Sequence, residues 1–240
     1  MRFLFFFLLV SAMVPIDSTW ANVVIAGTRV IYQANKQEVT LQLSNVGTEP
    51  ALVQSWIDKD GDRRAPDYSE APFVIMPPIT RISPGRSQTL RIVYTGEQTP
   101  SDRESMYWLN ILDIPPRPAD IATKNYMQIS VRSQIKLFFR PEGLSGSMEK
   151  APKQLNWSLV THDGKTALKV ANPGNYHVSL SSVELEVGTT SLPLGSGTVA
   201  PGKYLELPLA APLPKGTGNA TVRYSWVNDY GADISESTSI

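Results

Sequence analysis

The most regular feature of the sequence is an alternation of apolar and polar residues over short segments. Such alternation indicates strands with one buried face, whereas an amphipathic helix needs apolar residues at a spacing of three and four. No window of roughly 11 residues combines that helical spacing with capping residues. The alternation recurs at residues 39–43, 90–94, 127–132, 168–170, 178–180 and 183–187.

Turn signals separate these segments. The chain has 19 Pro and 16 Gly, and short strands at turn spacings of about ten residues predict an all-β antiparallel sandwich or barrel. The signals include Asn45-Val46-Gly47, Ser83-Pro84-Gly85, Asn172-Pro173-Gly174, Ala200-Pro201-Gly202 and Asp229-Tyr230-Gly231.

The first residues are typical of a secretory signal peptide. Arg2 precedes twelve uncharged, mostly apolar residues from Phe3 to Val14, and Ser18-Thr19-Trp20-Ala21 offers small residues for cleavage after Ala21. The alternative is a membrane anchor, but twelve helical residues rise only ~18 Å against a ~30 Å hydrocarbon core. We therefore predict a signal peptide over residues 1–21 and export of the mature chain.

A second boundary follows a strongly apolar segment. Residues 140–147 are small, flexible and rich in turn formers. They divide the mature chain into an N-terminal domain at 22–141 and a C-terminal domain at 142–240, each about the size of one immunoglobulin-like sandwich.

Composition and motifs argue against several functions. Lys plus Arg and Asp plus Glu number 22 each, so the net charge is zero and nucleic acid is a poor candidate partner. The absence of Cys and the presence of two His leave no basis for a thiolate or multi-His metal site. The Asp58–Asp62 segment lacks EF-hand spacing and is better explained as a hairpin turn. His177 is interpreted as a strand-face residue, and no catalytic motif is found, although a hydrolase using paired carboxylates stays open.

Three segments together resemble one family. They are Thr28–Tyr32, placed on the first mature strand, Pro100–Pro116 and Ile135–Pro141. The second segment, with Glu104-Ser105, an aromatic pair, Asn110 and a closing Pro115-Pro116, is similar to the signature of periplasmic PapD-like chaperones of the chaperone–usher pilus pathway. Thr99 departs from it where an apolar residue is usual. Weaker support comes from Pro77-Pro78, Arg81–Gly85 and Asn228–Gly231.

This resemblance implies two immunoglobulin-like domains in an L or boomerang arrangement with a cleft between them. It implies a periplasmic chaperone without enzymatic activity, cofactor or small-molecule substrate. Its partners would be pilus subunits and an outer-membrane usher, and the free protein could also self-associate. The short segment 117–126, without a Cys pair, resembles the short-loop subgroup. The alternative is a structural pilus subunit or adhesin built from similar domains.

The resemblance assigns a donor strand to Met127, Ile129 and Val131, which alternate with polar residues. A subunit that lacks a strand exposes an apolar groove and unpaired backbone groups, and a lent strand covers both. The alternation by itself fits an ordinary half-buried strand equally well, so the donor role is implied by the resemblance.

The resemblance also assigns Arg29 and Lys136 as the anchor for the subunit's terminal carboxylate. Arg binds a carboxylate through a planar fork and Lys adds a compact charge. Without the motif, each cation would be assigned to an internal ion pair or to water. Lys136 has the opposite parity to Met127, Ile129 and Val131. Either a twist or bulge intervenes, or the two functions use different faces.

Finally, Glu104, Arg140 and Asp229 match positions of an interdomain ionic network in the family. The implied role is to set the angle between the domains. We expect such a network, if exposed, to contribute only ~0–1 kcal/mol per pair.

Overall fold

The computed structural model describes residues 22–59, 61, 70–117, 127–210 and 220–240. The predicted signal peptide, most of the short segment 117–126, and Asp60 and Asp62 of the predicted turn lie outside these residues. The described chain is almost entirely β-strand, with one short 3-10 helix at Ala151–Gln154. Within these ranges, no helix has the length and apolar character needed to cross a membrane.

Two groups of strands follow one another along the chain. The first group is β1 (Val23–Ile25), β2 (Arg29–Gln33), β3 (Val39–Asn45), β4 (Ala51–Asp58), β5 (Phe73–Met76), β6 (Ile79–Ile82), β7 (Ser87–Tyr94), β8 (Ser105–Ile114) and β9 (Val131–Arg140). The second group is β10 (Asn156–His162), β11 (Lys165–Ala171), β12 (Val178–Val187), β13 (Thr190–Val199), β14 (Tyr204–Pro208), β15 (Ala220–Val227) and β16 (Asp233–Ser239).

The first group forms a sandwich of two sheets. One has the order β1-β3-β7-β5 and the other the order β2-β9-β8-β4-β6. Alternating residues of both sheets point inward, and Leu43, Val53, Leu90, Leu109 and Leu137 are completely buried between them. All strand pairs are antiparallel except β2 and β9, which run parallel.

The second group forms a smaller sandwich with its own core. Its sheets have the orders β10-β11-β14 and β13-β12-β15-β16. Leu168, Val170, Leu185 and Val222 are completely buried between them, and Trp226 is 2% exposed. Two sandwiches with separate cores confirm the predicted fold class.

Two predicted strands differ in the structure. Thr28–Tyr32 does not belong to the first strand, because β1 precedes it and pairs with β3. The strand predicted at 127–132 begins only at Val131, opposite Asp113 of β8. The apolar alternation begins at Met127, but pairing with β8 begins only at Val131. A strand requires a hydrogen-bonded partner as well as the alternation.

Candidate functional site

Arg29 and Lys136 lie side by side where the two sandwiches meet. They are direct register partners in the parallel pair of β2 and β9, so their side chains project from the same face. The Lys136 ammonium donates to Ser179 Oγ at 3.0 Å and Thr198 Oγ1 at 2.6 Å. The Arg29 guanidinium donates to the Val227 carbonyl at 2.8 Å. Within the described residues, the hydrogen-bond partners that the second sandwich supplies to this cation pair are all neutral oxygens.

The charges of this pair have no directly bonded counterion among the described residues, although Asp229, Asp233 and Glu104 act on Arg29 from a distance. Neither side chain forms an ion pair within the described ranges, and Arg29 Nε is buried without a hydrogen-bond partner there. Burial, with a smaller contribution from the Arg29 charge, lowers the pKa of Lys136 to about 8. Burial also lowers the pKa of Arg29, against the opposing influence of Asp229, Asp233 and Glu104. Two partly buried like charges without a counterion form a site that favours an anion.

Four residues further along β9, Arg140 is fully compensated. It donates to Glu104 Oε2 at 2.7 Å and makes two bonds of 2.6 and 2.7 Å to the Asp229 carboxylate. Burial acts to lower the pKa of Arg140, but the bonds to Asp229 and the charge of Glu104 outweigh it and raise that pKa. The structure thus brings together the three residues assigned to an interdomain network. Their role in setting the domain angle stays a prediction.

The Glu104 end of this network is buried and the Asp229 side chain is 26% exposed, which changes the expected energetics. Glu104 is 2% exposed, and its second oxygen accepts from the His177 backbone N–H at 2.8 Å and contacts His177 Nδ1 at 3.0 Å. A buried pair responds far more strongly to loss of one partner than an exposed pair does. The weak contribution expected for an exposed network therefore does not apply.

The three assigned donor residues are large apolar side chains that the structure leaves exposed. Met127 is 84% exposed, Ile129 66% and Val131 41%. β8 accompanies β9 along its whole length, but β2 covers only Lys136 to Arg140. In the part of the chain that the structure describes, the first half of β9 has no second neighbouring strand. An exposed apolar segment thus leads into a half-strand whose second edge pairs with no described strand, and this unpaired stretch ends at the cation pair.

The two features use opposite faces of β9. The β8–β9 register is uninterrupted from Ser105–Phe139 to Asp113–Val131, so no bulge intervenes. Leu137 and Phe139 enter the first core, and Val131 shares their parity. Lys136 lies on the other face, 6.0 Å from the Trp108 ring centroid. Of the two alternatives left by the parity of Lys136, the structure supports different faces.

Sequence reasoning missed the residues that the second sandwich supplies. Ser179 reads as the polar member of an alternating strand, yet it is 3% exposed because both faces of β12 are covered at this point. His177 was interpreted as a strand-face residue, but it precedes β12 and is buried against Glu104. The contacts of Lys136 with Ser179 and Thr198 span 43 and 62 residues of chain, so no pattern in a short stretch of sequence could predict them.

Comparison with known proteins identifies the family. Residues 22–145 match the family model for the pili and flagellar-assembly chaperone PapD N-terminal domain, and residues 150–238 match that for the pili assembly chaperone PapD C-terminal domain. The chain belongs to the PapD-like pilus assembly chaperones. This family is non-enzymatic, and it confirms the resemblance carried by the signature.

Individual relatives agree over almost the full length. The chain is 38% identical over 228 residues to the probable fimbrial chaperone YadV of Escherichia coli, covering 94% of this chain and 92% of that one. It is 41% identical over 215 residues to the chaperone protein FimB/FhaD of Bordetella pertussis, covering 88% and 85%. The SafB chaperone, solved in complex with the Salmonella enterica SafA pilin, superimposes with a TM-score of 0.73 at 31% identity, covering 91% and 95%.

Proposed function

We propose that this PapD-like chaperone acts in the periplasm, lends part of β9 to an incompletely folded pilus subunit, and delivers that subunit to an outer-membrane usher. One observation carries the donor-strand mechanism: the exposed residues Met127, Ile129 and Val131 precede or begin a half-strand with space beside it, which ends at Arg29 and Lys136. Periplasmic location and usher delivery are inferred from family membership.

The apolar residues supply most of the binding free energy. Burying three such side chains is worth roughly 5–9 kcal/mol at ~1.5–3 kcal/mol each. Each backbone hydrogen bond to an added strand contributes a further ~0.5–1.5 kcal/mol. A subunit that lacks one strand needs both contributions, because its groove is apolar and its edge amides are unpaired.

The cation pair supplies the register. A chain whose terminal carboxylate binds Arg29 and Lys136 can extend beside β9 from that fixed point. A slip of one residue would turn its apolar side chains away from the groove, so a fixed end prevents mispairing. The SafB–SafA complex supports a pilin as the occupant, because this chain is similar to SafB.

The proposal is tested by affinity capture from periplasm and identification of co-purifying proteins by mass spectrometry. Wild-type protein should recover pilus subunits in one-to-one complexes. Ile129→Asp and Lys136→Met should each abolish recovery while circular dichroism shows a folded protein. Lys165→Met removes an exposed Lys of the second sandwich and is the matched control, with full recovery expected. Normal recovery by both cleft variants would contradict the mechanism.

A structural pilus subunit is the competing function. Such a protein would need a detachable N-terminal segment, but Val23–Ile25 form β1 and pair with Leu43–Asn45 of β3. This pairing favours the chaperone. Purified protein that polymerised with itself would favour the structural subunit instead.

A further inference from the structure

Asn110 is an unusual residue on the outer face of the five-stranded sheet. It lies in the middle of β8, opposite Gln134 of β9 on one side and Trp56 of β4 on the other. Its neighbours Leu109 and Ile111 point into the first core, so Asn110 points away from that core. It is nevertheless 0% exposed, because larger side chains of the outer face cover it.

Both the oxygen and the nitrogen of the Asn110 side-chain amide form hydrogen bonds to residues of the same sheet. Its Oδ1 accepts from Arg132 Nε at 2.9 Å, from Arg132 Nη2 at 2.6 Å and from Gln134 Nε2 at 2.7 Å. Its Nδ2 donates to Asp58 Oδ2 at 2.7 Å and to the Trp108 carbonyl at 3.2 Å. The acceptor side therefore binds β9, and the donor side binds β4 and the backbone of β8 itself.

The two residues of β9 bound by Asn110 lie in the half-strand that β2 does not cover. Arg132 is also 3.5 Å from Asp58 Oδ2, and its guanidinium lies 4.8 Å from the Trp56 ring centroid. Gln134 further contacts the Gly61 carbonyl at 3.4 Å. The polar face of the half-strand is thus attached to β8 and β4, while Val131 on the other face remains exposed.

We propose that Asn110 is a positioning residue that holds the first half of β9 on β8 in a single register before any subunit arrives. With β8 as its only neighbouring strand among the residues that the structure describes, this segment would otherwise detach or slip more easily than the second half. An amide has a donor and an acceptor on one group, so a slip would leave a buried Asn110 unsatisfied. The proposal rests on the proposed function, since a preformed half-strand matters only if it serves as a donor.

A charge-relocating pair of substitutions tests this directly. Asn110→Asp keeps the acceptors for Arg132 and Gln134 but places a carboxylate against Asp58. Adding Asp58→Asn restores a donor and returns the net charge to its original value. Asn110→Leu removes every hydrogen bond of the amide. Asn172→Leu is the matched control: Asn172 is a buried Asn of the second sandwich that bonds the Tyr176 and Val199 carbonyls and, among the described residues, makes no hydrogen bond to β9.

The first measurement is hydrogen–deuterium exchange of the free protein. Asn110→Leu and Asn110→Asp should each speed exchange at residues 131–135 about tenfold relative to residues 136–140, since local opening governs exchange. The double variant should return to within about threefold of wild type, and Asn172→Leu should leave this segment unchanged. Unchanged exchange in Asn110→Asp, or no recovery in the double variant, would overturn the proposal, and both outcomes remain decisive if Asn110→Leu does not fold.

The second measurement is binding of a synthetic peptide with alternating Val and Thr and a free C-terminal carboxylate. The Asn110 single variants should slow association about tenfold with dissociation nearly unchanged, because they alter the free state. If Asn172→Leu slowed association equally, the effect of the Asn110 variants would be a general loss of stability, and the positioning role would be refuted. Failure of the wild type to bind the peptide would count against the proposed function, while the exchange data would still judge the role of Asn110.

Discussion

Lys136 and Arg140 are two cations on the same face of β9, four residues apart, and both approach the second sandwich. Arg140 meets two carboxylates, Glu104 and Asp229, at hydrogen-bond distance. Lys136 meets two hydroxyls and a neighbouring cation. Burial acts on both, yet the pKa of Arg140 is raised and that of Lys136 is lowered to about 8.

The difference separates a charge that is neutralised within the chain from one that we propose binds a carboxylate of the subunit. Arg140 has its counterions within the chain, so its contacts belong to the free protein. The Lys136 ammonium lies in an unfavourable electrostatic environment in the free protein, and the carboxylate of a bound partner would relieve it. Binding sites commonly concentrate such unfavourable electrostatics, and stability is lower there as a consequence.

The largest expected contrast is in stability. Arg140→Met should lower the free energy of unfolding by about 3–5 kcal/mol, because it leaves Glu104 buried without its cation. Lys136→Met should change it by less than about 1 kcal/mol, because the lost hydrogen bonds and the relieved desolvation oppose each other. Urea unfolding at neutral pH measures both values. Combining Arg140→Met with Glu104→Gln should recover part of the loss, and equal losses for the two single variants would erase the distinction.

A carboxylate introduced beside Lys136 should give its ammonium group a counterion within the chain, as Arg140 already has. Thr198→Asp places an acid where Oγ1 now lies 2.6 Å from Lys136 Nζ. We expect binding of a carboxylate-terminated peptide to weaken about 100-fold, or ~2.7 kcal/mol, while thermal stability stays equal or rises. Thr198→Val removes the hydroxyl without adding charge and should bind much more tightly than Thr198→Asp. Calorimetry that finds wild-type affinity for Thr198→Asp would contradict this interpretation.

Peptide affinity should depend on pH through Lys136 alone. Its pKa is about 8 in the free protein, and only the protonated amine attracts a carboxylate. Affinity should be constant from about pH 5, where the peptide carboxylate is already ionised, up to that value, and then fall up to about tenfold per pH unit above it, until the higher pKa of the bound state is reached. Lys136→Arg stays charged throughout and should remove the dependence. A wild-type profile that stayed flat to pH 10 would be inconsistent with this site.

The smallest effect is on the stability of the free protein at alkaline pH. The pKa of Lys136 is lowered from 10.5 to about 8 on folding, so between these values the unfolded chain retains a proton that the folded chain has lost. Stability should therefore rise with pH in this window, by about 1 kcal/mol after discounting for partial solvent access. The measurement is the difference in the free energy of unfolding between wild type and Lys136→Met, followed from pH 8 to pH 10.5. A falling difference would have the wrong sign.

Several parts of this molecule could be predicted from short stretches of sequence. Alternation at residues 39–43 and 90–94 corresponds to β3 and β7, because one buried face imposes a period of two. The signature around Glu104 and Asn110 pointed to the family and, through it, to Arg29 and Lys136. The prediction of a strand at 127–130 was wrong, because apolar alternation records which side chains a strand could bury and says nothing about a hydrogen-bonding neighbour.

The sequence alone determined the many short strands, the turns between them and the alternating apolar pattern before β9, since steric preference and burial periodicity act over a few residues. Only the tertiary structure decided which edge lacks a neighbour and which cation lacks a counterion. Arg29 meets the Val227 carbonyl across 198 residues of chain, and Glu104 meets His177 across 73. Electrostatic compensation depends on distance through space, and that distance exists only once both sandwiches have folded and packed against each other.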